Sequence, residues 1–229
     1  MNKQYSDLNN YYTKCFRLID CIHFNSENTK KCFERHIEPN KGVVVPITHG
    51  GIKDNRQLRS YAGDKLRLGF IGSTTVHKGL PFLIEALKEV GSKDKWQLDV
   101  WGNHVGKDES LPIYYKGKYA PGDIERVYST MDTMVVPSQW HETFSLVALE
   151  ALSFGIPVIV SDKVGAQDIV CEYDPNFVFR DKTELVKLIK TMIKNHSVLT
   201  EYNKKICEMP WKHDIRSHAE EIIKKVYLK

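Results

Sequence analysis

The spacing of apolar residues changes along the chain, and from about residue 66 two kinds of segment alternate. Short continuous apolar runs are typical of strands buried on both faces, whereas apolar residues at every third or fourth position are typical of amphipathic helices. The runs that predict strands span 66–72, 96–102, 113–117, 133–137 and 156–160. The segments that predict helices span 79–90, 123–131, 144–154, 184–194, 197–207 and 213–226.

This alternation predicts an α/β fold with a single Rossmann-like, doubly wound parallel sheet. In open sheets of this kind, ligands bind outside the carboxyl ends of the strands. We therefore look for functional residues in the loops that follow Ile71, Val100, Tyr115, Val136 and Val160.

The N-terminal part of the chain has a different character. Residues 1 to about 40 are polar and helix-like, and residues 39–42 have the composition of a turn. The β-branched run at 43–47 predicts a short strand, which Pro46 ends or confines to a sheet edge. The polar residues 48–65 are typical of a linker.

The length and composition fit a soluble globular protein with one domain and an appendage. The chain has 229 residues, of which 41% are hydrophobic and 27% charged. We expect an N-terminal helical and strand appendage with a hinge over 1–60, and a ligand-binding domain over 61–229. Lys and Arg exceed Asp and Glu by 33 to 29, and the basic residues are scattered, so no nucleic-acid partner is indicated.

The sequence predicts a cytoplasmic protein. It has no apolar run long enough to span a membrane, and its first residues lack the apolar core of a signal peptide. Its five cysteines show no Cys-x-x-Cys spacing, which favours reduced thiols. The modest positive charge leaves two partners open, namely an anionic small ligand and the inner face of a membrane.

The loop from Gly72 to Gly79 is the first candidate site, because it follows a strand and opens a helix. Small residues at Gly72, Ser73 and Thr74 permit a tight turn, and Lys78 adds a positive charge where helix amides attract anions. The loop matches neither the Walker A pattern nor Gly-x-Gly-x-x-Gly. Phosphate binding and an ordinary turn with a solvated lysine both stay open.

The segment from Pro137 to Leu152 is the second candidate site. Its helix is apolar nearly all round, so we expect it to be buried. Glu150 lies in the middle of that helix and needs hydrogen-bond donors, which sugar or ribose hydroxyls can supply. The alternative is a structural carboxylate bonded to backbone amides or an arginine.

Glu142 precedes the same helix by a few residues. Between the two carboxylates, Thr143, Phe144 and Ser145 offer free first-turn amides that can take a phosphate. A plain capping role for Glu142 stays open, and His141 fits a packing role better than a catalytic one.

A third loop, 161–168, is either another ligand-side loop or, as we favour, a surface turn. His, Cys and Asp residues show no zinc or EF-hand spacing, and no Gly-x-Ser-x-Gly elbow is present. We therefore expect no metal and no cofactor.

Taken in order, these motifs resemble the C-terminal domain of the retaining glycosyltransferases of family 4, which have the GT-B fold. The resemblance spans about Leu66 to Val170. The matching residues are Phe70-Ile71-Gly72, Lys78-Gly79-Leu80, Val100-Trp101-Gly102, Gly117, Val135-Val136-Pro137-Ser138, Glu142-x7-Glu150-Ala151, Gly155-Ile156-Pro157-Val158-Ile159 and Gly165. Residues 20–52 resemble the end of that family's N-terminal acceptor domain, and 211–227 resemble its closing helix.

The resemblance implies a nucleoside-diphosphate sugar as the donor and no metal. Lys78 would neutralise the diphosphate, Glu142 would lie near the donor sugar, and Glu150 would hold the ribose hydroxyls. The remaining donor-binding positions that it implies are Gly72, Ser73, Thr74, Thr143, Phe144, Ser145 and Leu146, with Gly117, Lys118 and Tyr119 bordering the base.

Two departures from the family pattern stand out. Many members carry an arginine a few residues before the lysine, where this chain has Ser73, Thr74 and Thr75. The frequent Gly-Phe-Gly after the first glutamate is Thr143-Phe144-Ser145 here.

The length of the chain is the larger departure, because a complete enzyme of this type has two Rossmann-like domains. We therefore expect the donor half of an enzyme that transfers a sugar, with retention, to a polysaccharide, lipid or glycan acceptor. The alternative is a non-catalytic nucleotide-sugar-binding module, or a subunit that requires a partner chain supplying the N-terminal domain.

Overall fold

A computed structural model describes residues 3–34 and 41–228 of the chain. The helices are α1 (Lys3–Arg17), α2 (Glu27–Phe33), α3 (Leu80–Val90), α4 (Ile124–Ser129), α5 (Leu146–Ser153), α6 (Gln167–Tyr173), α7 (Lys182–Lys194), α8 (Ser197–Glu208) and α9 (Ile215–Ile222). The strands are β1 (Ile22–Phe24), β2 (Gly42–Val44), β3 (Leu66–Ile71), β4 (Trp96–Trp101), β5 (Val105–Lys107), β6 (Ile113–Gly117), β7 (Thr133–Val136), β8 (Val158–Ser161) and β9 (Val178–Phe179). The turn expected at 39–42 lies partly outside the described residues.

Seven strands form the main sheet, in the order β5-β6-β4-β3-β7-β8-β9. The pairings among β6, β4, β3, β7, β8 and β9 are all parallel, whereas β5 runs antiparallel to β6. The predicted Rossmann-like parallel sheet is therefore confirmed. The sequence pattern missed β5, because its three residues are all exposed and carry no apolar signal.

The core explains why the strand runs are continuously apolar. Every residue of β7 and β8 is buried, and β3 and β4 are buried except for one or two positions each. Helices cover the sheet, with α5 packed on β7 and β8 and α3 packed beside α7. Strands whose two faces are both covered by helices have no solvent-facing side. Polar and apolar residues therefore do not alternate along these runs.

The sheet changes winding direction between β3 and β7. The chain adds β4 and β6 on one side of β3, and then returns to add β7, β8 and β9 on the other side. At such a switch point the loops leaving two neighbouring strands diverge and leave a crevice at their carboxyl ends. The first two candidate loops, after β3 and after β7, border this crevice.

The two loops are packed tightly against each other at Gly79. Its φ of 79° lies in the left-handed region, and a Cβ there would overlap the carbonyl oxygen of Pro137. The backbone carbonyl of His77 accepts from the Gln139 amide at 2.9 Å and from the Ser138 hydroxyl at 3.0 Å. Only glycine combines that backbone conformation with that close approach.

The N-terminal segment lies against the main domain. Its β1 and β2 form a separate two-stranded parallel sheet. The Glu27 amide donates to Asp168 at 2.7 Å, and the Lys225 ammonium donates to the Val44 carbonyl at 3.1 Å. The division of the chain at residue 60 into an appendage and a donor domain stays a prediction.

Replacing Gly79 with alanine tests the contact between the two loops. Gly91 is a matched control, since it also has a positive φ (67°) but a methyl group added there would meet only open space. We expect each substitution to cost about 1–3 kcal/mol of unfolding free energy for the positive φ, and Gly79→Ala to cost about 2 kcal/mol more for the overlap. Urea unfolding followed by circular dichroism measures both. Equal losses would show that the two loops do not touch as described.

Candidate functional site

The loop after β3 carries two of the predicted donor-binding hydroxyls. Gly72 has a φ of 155°, and its backbone comes close to the loop after β4. The Ser73 hydroxyl lies 2.9 Å from that of Thr75, and the Thr74 hydroxyl lies 2.9 Å from His104 Nε2. Both hydroxyls therefore have polar partners within the loop region.

Lys78 and Glu142 meet across the crevice. A 3₁₀ turn at Val76–Lys78 ends the first loop, and Lys78 Nζ lies 3.0 Å from Glu142 Oε1. The backbone of Glu142 is fixed independently, because its amide donates to the Lys163 carbonyl at 3.0 Å and its carbonyl accepts from the Gly165 amide at 2.9 Å. The carboxylate is thus held in place while the lysine reaches over to it.

Lys78 can leave Glu142 for another anion at little cost in free energy. The Lys78 side chain is 46% exposed and that of Glu142 is 16% exposed. A pair with one solvated partner contributes little net stability, since the lysine exchanges water for the carboxylate at nearly equal free energy. An anionic ligand entering the crevice can therefore compete for the ammonium group.

The N-terminus of α5 leaves backbone donors unused. The amides of Phe144, Ser145 and Leu146 donate to no residue that the structure describes, and the Ser145 side chain does not cap the helix. Ser145 has φ 148° and ψ 97°, a conformation that favours glycine. Free amides and the positive end of the helix dipole both attract an anion.

Two hydroxyls of the N-terminal segment donate hydrogen bonds to the backbone of Thr143. Its carbonyl accepts from the Ser26 hydroxyl at 2.8 Å and from the Thr29 hydroxyl at 3.1 Å. Thr143 itself is exposed. The loop that carries Glu142 is therefore positioned partly by residues more than 100 positions earlier in the sequence.

Glu150 lies on the open face of α5. Leu146, Val147 and Glu150 are half-buried and share one side of the helix, whereas the other sides are buried. The expectation of a helix buried all round is therefore wrong for this face, because it borders the crevice and not a neighbouring helix. The Glu150 side chain keeps 15% of its surface exposed, so a ligand can reach it.

Two side chains contact the Glu150 carboxylate, one at each oxygen. The Tyr128 hydroxyl donates to Oε2 at 3.0 Å, and His49 Nε2 lies 3.4 Å from Oε1. The sequence pattern predicted neither partner. Tyr128 belongs to a short helix with no motif, and His49 lies in the segment taken for a linker.

The negative charge of Glu150 contributes to the raised pKa values of two tyrosines. Burial raises the pKa of Tyr128 well above its ordinary value, and the Glu150 carboxylate raises it further. Burial, followed by the same negative charge, raises the pKa of Tyr119 to about 12. Both phenols therefore keep their protons near neutral pH and act as hydrogen-bond donors.

The predicted base-bordering residues follow β6, on the same edge of the sheet. Gly117 has a φ of 76°, and its carbonyl accepts from the Gly102 amide at 3.0 Å. Lys118 is exposed, and the Tyr119 ring stands edge-on to Trp101 at 5.9 Å. Of these residues, Tyr119 lies near enough to Glu150 for that carboxylate to raise its pKa.

The loop at 161–168 is not the surface turn that we favoured. Val164 is fully buried and forms a parallel bridge with Glu142, and Asp168 accepts from the Glu27 amide. The loop therefore backs the candidate site and joins it to the N-terminal segment. His141, for which packing was expected, is exposed.

The described part of the chain offers neither a metal cluster nor a membrane span. Over residues 3–34 and 41–228, no group of three or more His, Cys, Asp or Glu side chains is arranged to hold a metal ion. No helix within those ranges has the length and apolar character needed to cross a membrane.

The family of the chain follows from comparison with known proteins. The family described as Glycosyl transferases group 1 matches residues 52–208, which is more than half of the chain. The chain therefore belongs to this family. Its assignment to family 4 within that group stays a prediction.

Two curated relatives illustrate how much of a larger protein the chain represents. A Klebsiella pneumoniae protein, described as an uncharacterized 41.2 kDa protein in the cps region, is 25% identical over 184 residues, which are 74% of this chain and 51% of that protein. Sulfoquinovosyl transferase SQD2 of Arabidopsis thaliana is 25% identical over 198 residues, which are 83% of this chain and 34% of that protein. The chain thus spans about half the length, or less, of these relatives.

A solved structure shares the fold. HepE of Anabaena, crystallised in complex with UDP and glucose, superposes with a TM-score of 0.73 at 16% identity, over 93% of this chain and 65% of that chain. At this identity the likeness concerns the fold. It agrees with the expected GT-B-type fold.

The strained backbone at Ser145 yields a prediction about stability. Ser145→Gly and Ser145→Ala both remove the hydroxyl, but only glycine tolerates the positive φ without strain. We expect the glycine variant to be about 1 kcal/mol more stable than the alanine variant in urea unfolding. Equal stabilities would mean that the backbone at this helix start is not strained.

Proposed function

We propose that this chain is the nucleotide-sugar-binding half of a retaining glycosyltransferase. The observation that carries the proposal is the meeting of Lys78 and Glu142 beside the unused amides at the start of α5. A movable cation, a fixed carboxylate and free helix amides at a switch point are the components that a sugar diphosphate requires.

The diphosphate would take Lys78 away from Glu142. A phosphate oxygen forms a stronger, charge-assisted contact with the ammonium group than a partly solvated carboxylate does. The amides of Phe144, Ser145 and Leu146 would hold the same group from the other side. As the bond to the sugar breaks, negative charge grows on the leaving diphosphate, and these fixed donors stabilise it most at that stage.

Glu142 would then face the sugar. Loss of the lysine leaves its carboxylate close to the reacting carbon, where it can accept a hydrogen bond from a sugar hydroxyl. Glu150 would accept from the ribose hydroxyls, and Gly117, Lys118 and Tyr119 would border the base. The Gly72 to Thr74 loop would lie beside the phosphates, with its hydroxyls released from their present partners.

The fold neighbour supports the nature of the donor. HepE binds UDP and glucose, and its fold covers nearly all of this chain. We propose only the class of donor, a nucleoside-diphosphate sugar. The complete enzyme would transfer the sugar to a polysaccharide, lipid or glycan acceptor, with retention at the anomeric carbon.

A second candidate function is that of a nucleotide-sugar-binding subunit that gains activity only with a partner chain. The match covers 51% of the Klebsiella relative, and such a partner would supply the part that has no counterpart here. Both functions need the same donor site. Donor hydrolysis or transfer by the chain alone would favour the enzyme, and binding without turnover would favour the subunit.

Nucleotide binding is the direct test of the donor site. We expect the chain to bind at least one of UDP, GDP and ADP in isothermal titration calorimetry. Lys78→Ala and Glu150→Gln should each weaken binding of that nucleotide by about 1–3 kcal/mol, because each removes a contact to a charged group.

Lys88 and Glu85 provide the matched controls. They form an exposed ion pair at 2.8 Å on α3. Lys88→Ala and Glu85→Gln remove the same charges outside the site and should leave binding unchanged. If the unaltered chain binds none of the three nucleotides at millimolar concentration, the proposed donor site is wrong.

Metal dependence provides an independent test. If Lys78 and the α5 amides neutralise the diphosphate, no divalent ion is required. We expect the dissociation constant for the bound nucleotide to be the same in EDTA and in millimolar Mg²⁺, within about twofold. A loss of binding in EDTA would show that a metal ion carries part of the charge.

A further inference from the structure

His49 approaches the donor site from outside the family-matched region. It lies in the segment between β2 and β3, and its Nε2 is 3.4 Å from Glu150 Oε1. The segment is anchored locally, because the His49 carbonyl accepts from the Ile52 amide at 3.0 Å and the Ile52 side chain is buried in the core. The imidazole is thus carried by a fixed turn, and the carboxylate by a fixed helix.

The turn also determines which ring nitrogen carries the proton. The Gly51 amide donates to His49 Nδ1 at 3.1 Å, so Nδ1 must present its lone pair. In a neutral imidazole the proton then resides on Nε2, which faces Glu150. His49 can therefore donate to the carboxylate without being charged.

The carboxylate is held at both oxygens. Tyr128 donates to Oε2, and the Nε2–H of His49 points to Oε1. Two donors on different oxygens fix the rotation of a carboxylate, while each oxygen keeps a lone pair for a further donor. A vicinal diol, such as the 2′ and 3′ hydroxyls of a ribose, presents two such donors. The 3.4 Å contact is long for a hydrogen bond, and contacts of this kind tighten when a ligand occupies the site.

We propose that His49 is a positioning residue that orients Glu150 toward the ribose diol of the donor. The inference rests on the proposed function and deepens it. It makes affinity for the ribose depend on the segment between β2 and β3. His49 acts through Glu150, so its effect should be confined to ligands that carry the hydroxyls.

The test compares ribonucleotides with analogues that lack the diol. The probes are UDP, GDP, ADP and their 2′,3′-dideoxy forms, titrated into the full chain by calorimetry. We expect His49→Ala to weaken binding of the preferred ribonucleotide about three- to tenfold. Binding of its dideoxy form should change by less than about twofold, since that ligand makes no contact with Glu150.

Rescue and control variants separate positioning from general damage. His49→Gln retains an N–H donor of similar reach and should recover most of the lost affinity. His218→Ala removes a half-buried histidine that contacts the Pro46 carbonyl at 2.9 Å, away from Glu150, and should change neither ligand's affinity.

Each result bears on one of the two proposals. If His49→Ala weakens both ligands equally, or neither, while Glu150→Gln still weakens the ribonucleotide, the role of His49 is wrong and the donor site stands. If the unaltered chain binds none of the three ribonucleotides, both proposals are overturned.

Discussion

The close approach of two backbone loops at the switch point of the sheet is the constraint on which the candidate site depends. Gly79 lies so near the Pro137 carbonyl that no side chain fits between them, and the His77 carbonyl takes two donors from the opposite loop. Lys78 lies between those two anchored residues. Its reach to Glu142 is therefore set by the backbone, while its ammonium group stays free to change partners.

The two glutamates of the site have different hydrogen-bond and charge partners, which suits them to different roles. Glu142 faces a movable, half-exposed cation, so its surroundings change when an anion enters. Glu150 faces the Tyr128 hydroxyl at one oxygen and His49 Nε2 at the other. A carboxylate held by a hydroxyl and an imidazole N–H keeps its capacity to accept further hydroxyls, whereas a carboxylate neutralised by a buried cation would attract them less.

The N-terminal segment takes part in the site although the family match begins only at residue 52. Ser26 and Thr29 hold the carbonyl of Thr143, and His49 contacts Glu150. The loop after β8 connects the N-terminal segment to Glu142. Val164 forms a β-bridge with Glu142, and Asp168 accepts a hydrogen bond from the Glu27 amide. The geometry of the candidate site is therefore coupled to residues that precede the family-matched region.

Burial and helical spacing are local properties of the chain, so the sequence predicts the α/β class, most strands and helices, and the placement of Glu142 just before a helix with Glu150 within it. It did not predict β5, whose exposed residues leave no pattern. The open face of α5 and the contacts of Tyr128 and His49 with Glu150 arise only in the folded protein. Those partners lie 22 and 101 positions away in the chain, and only the winding of the sheet brings them together.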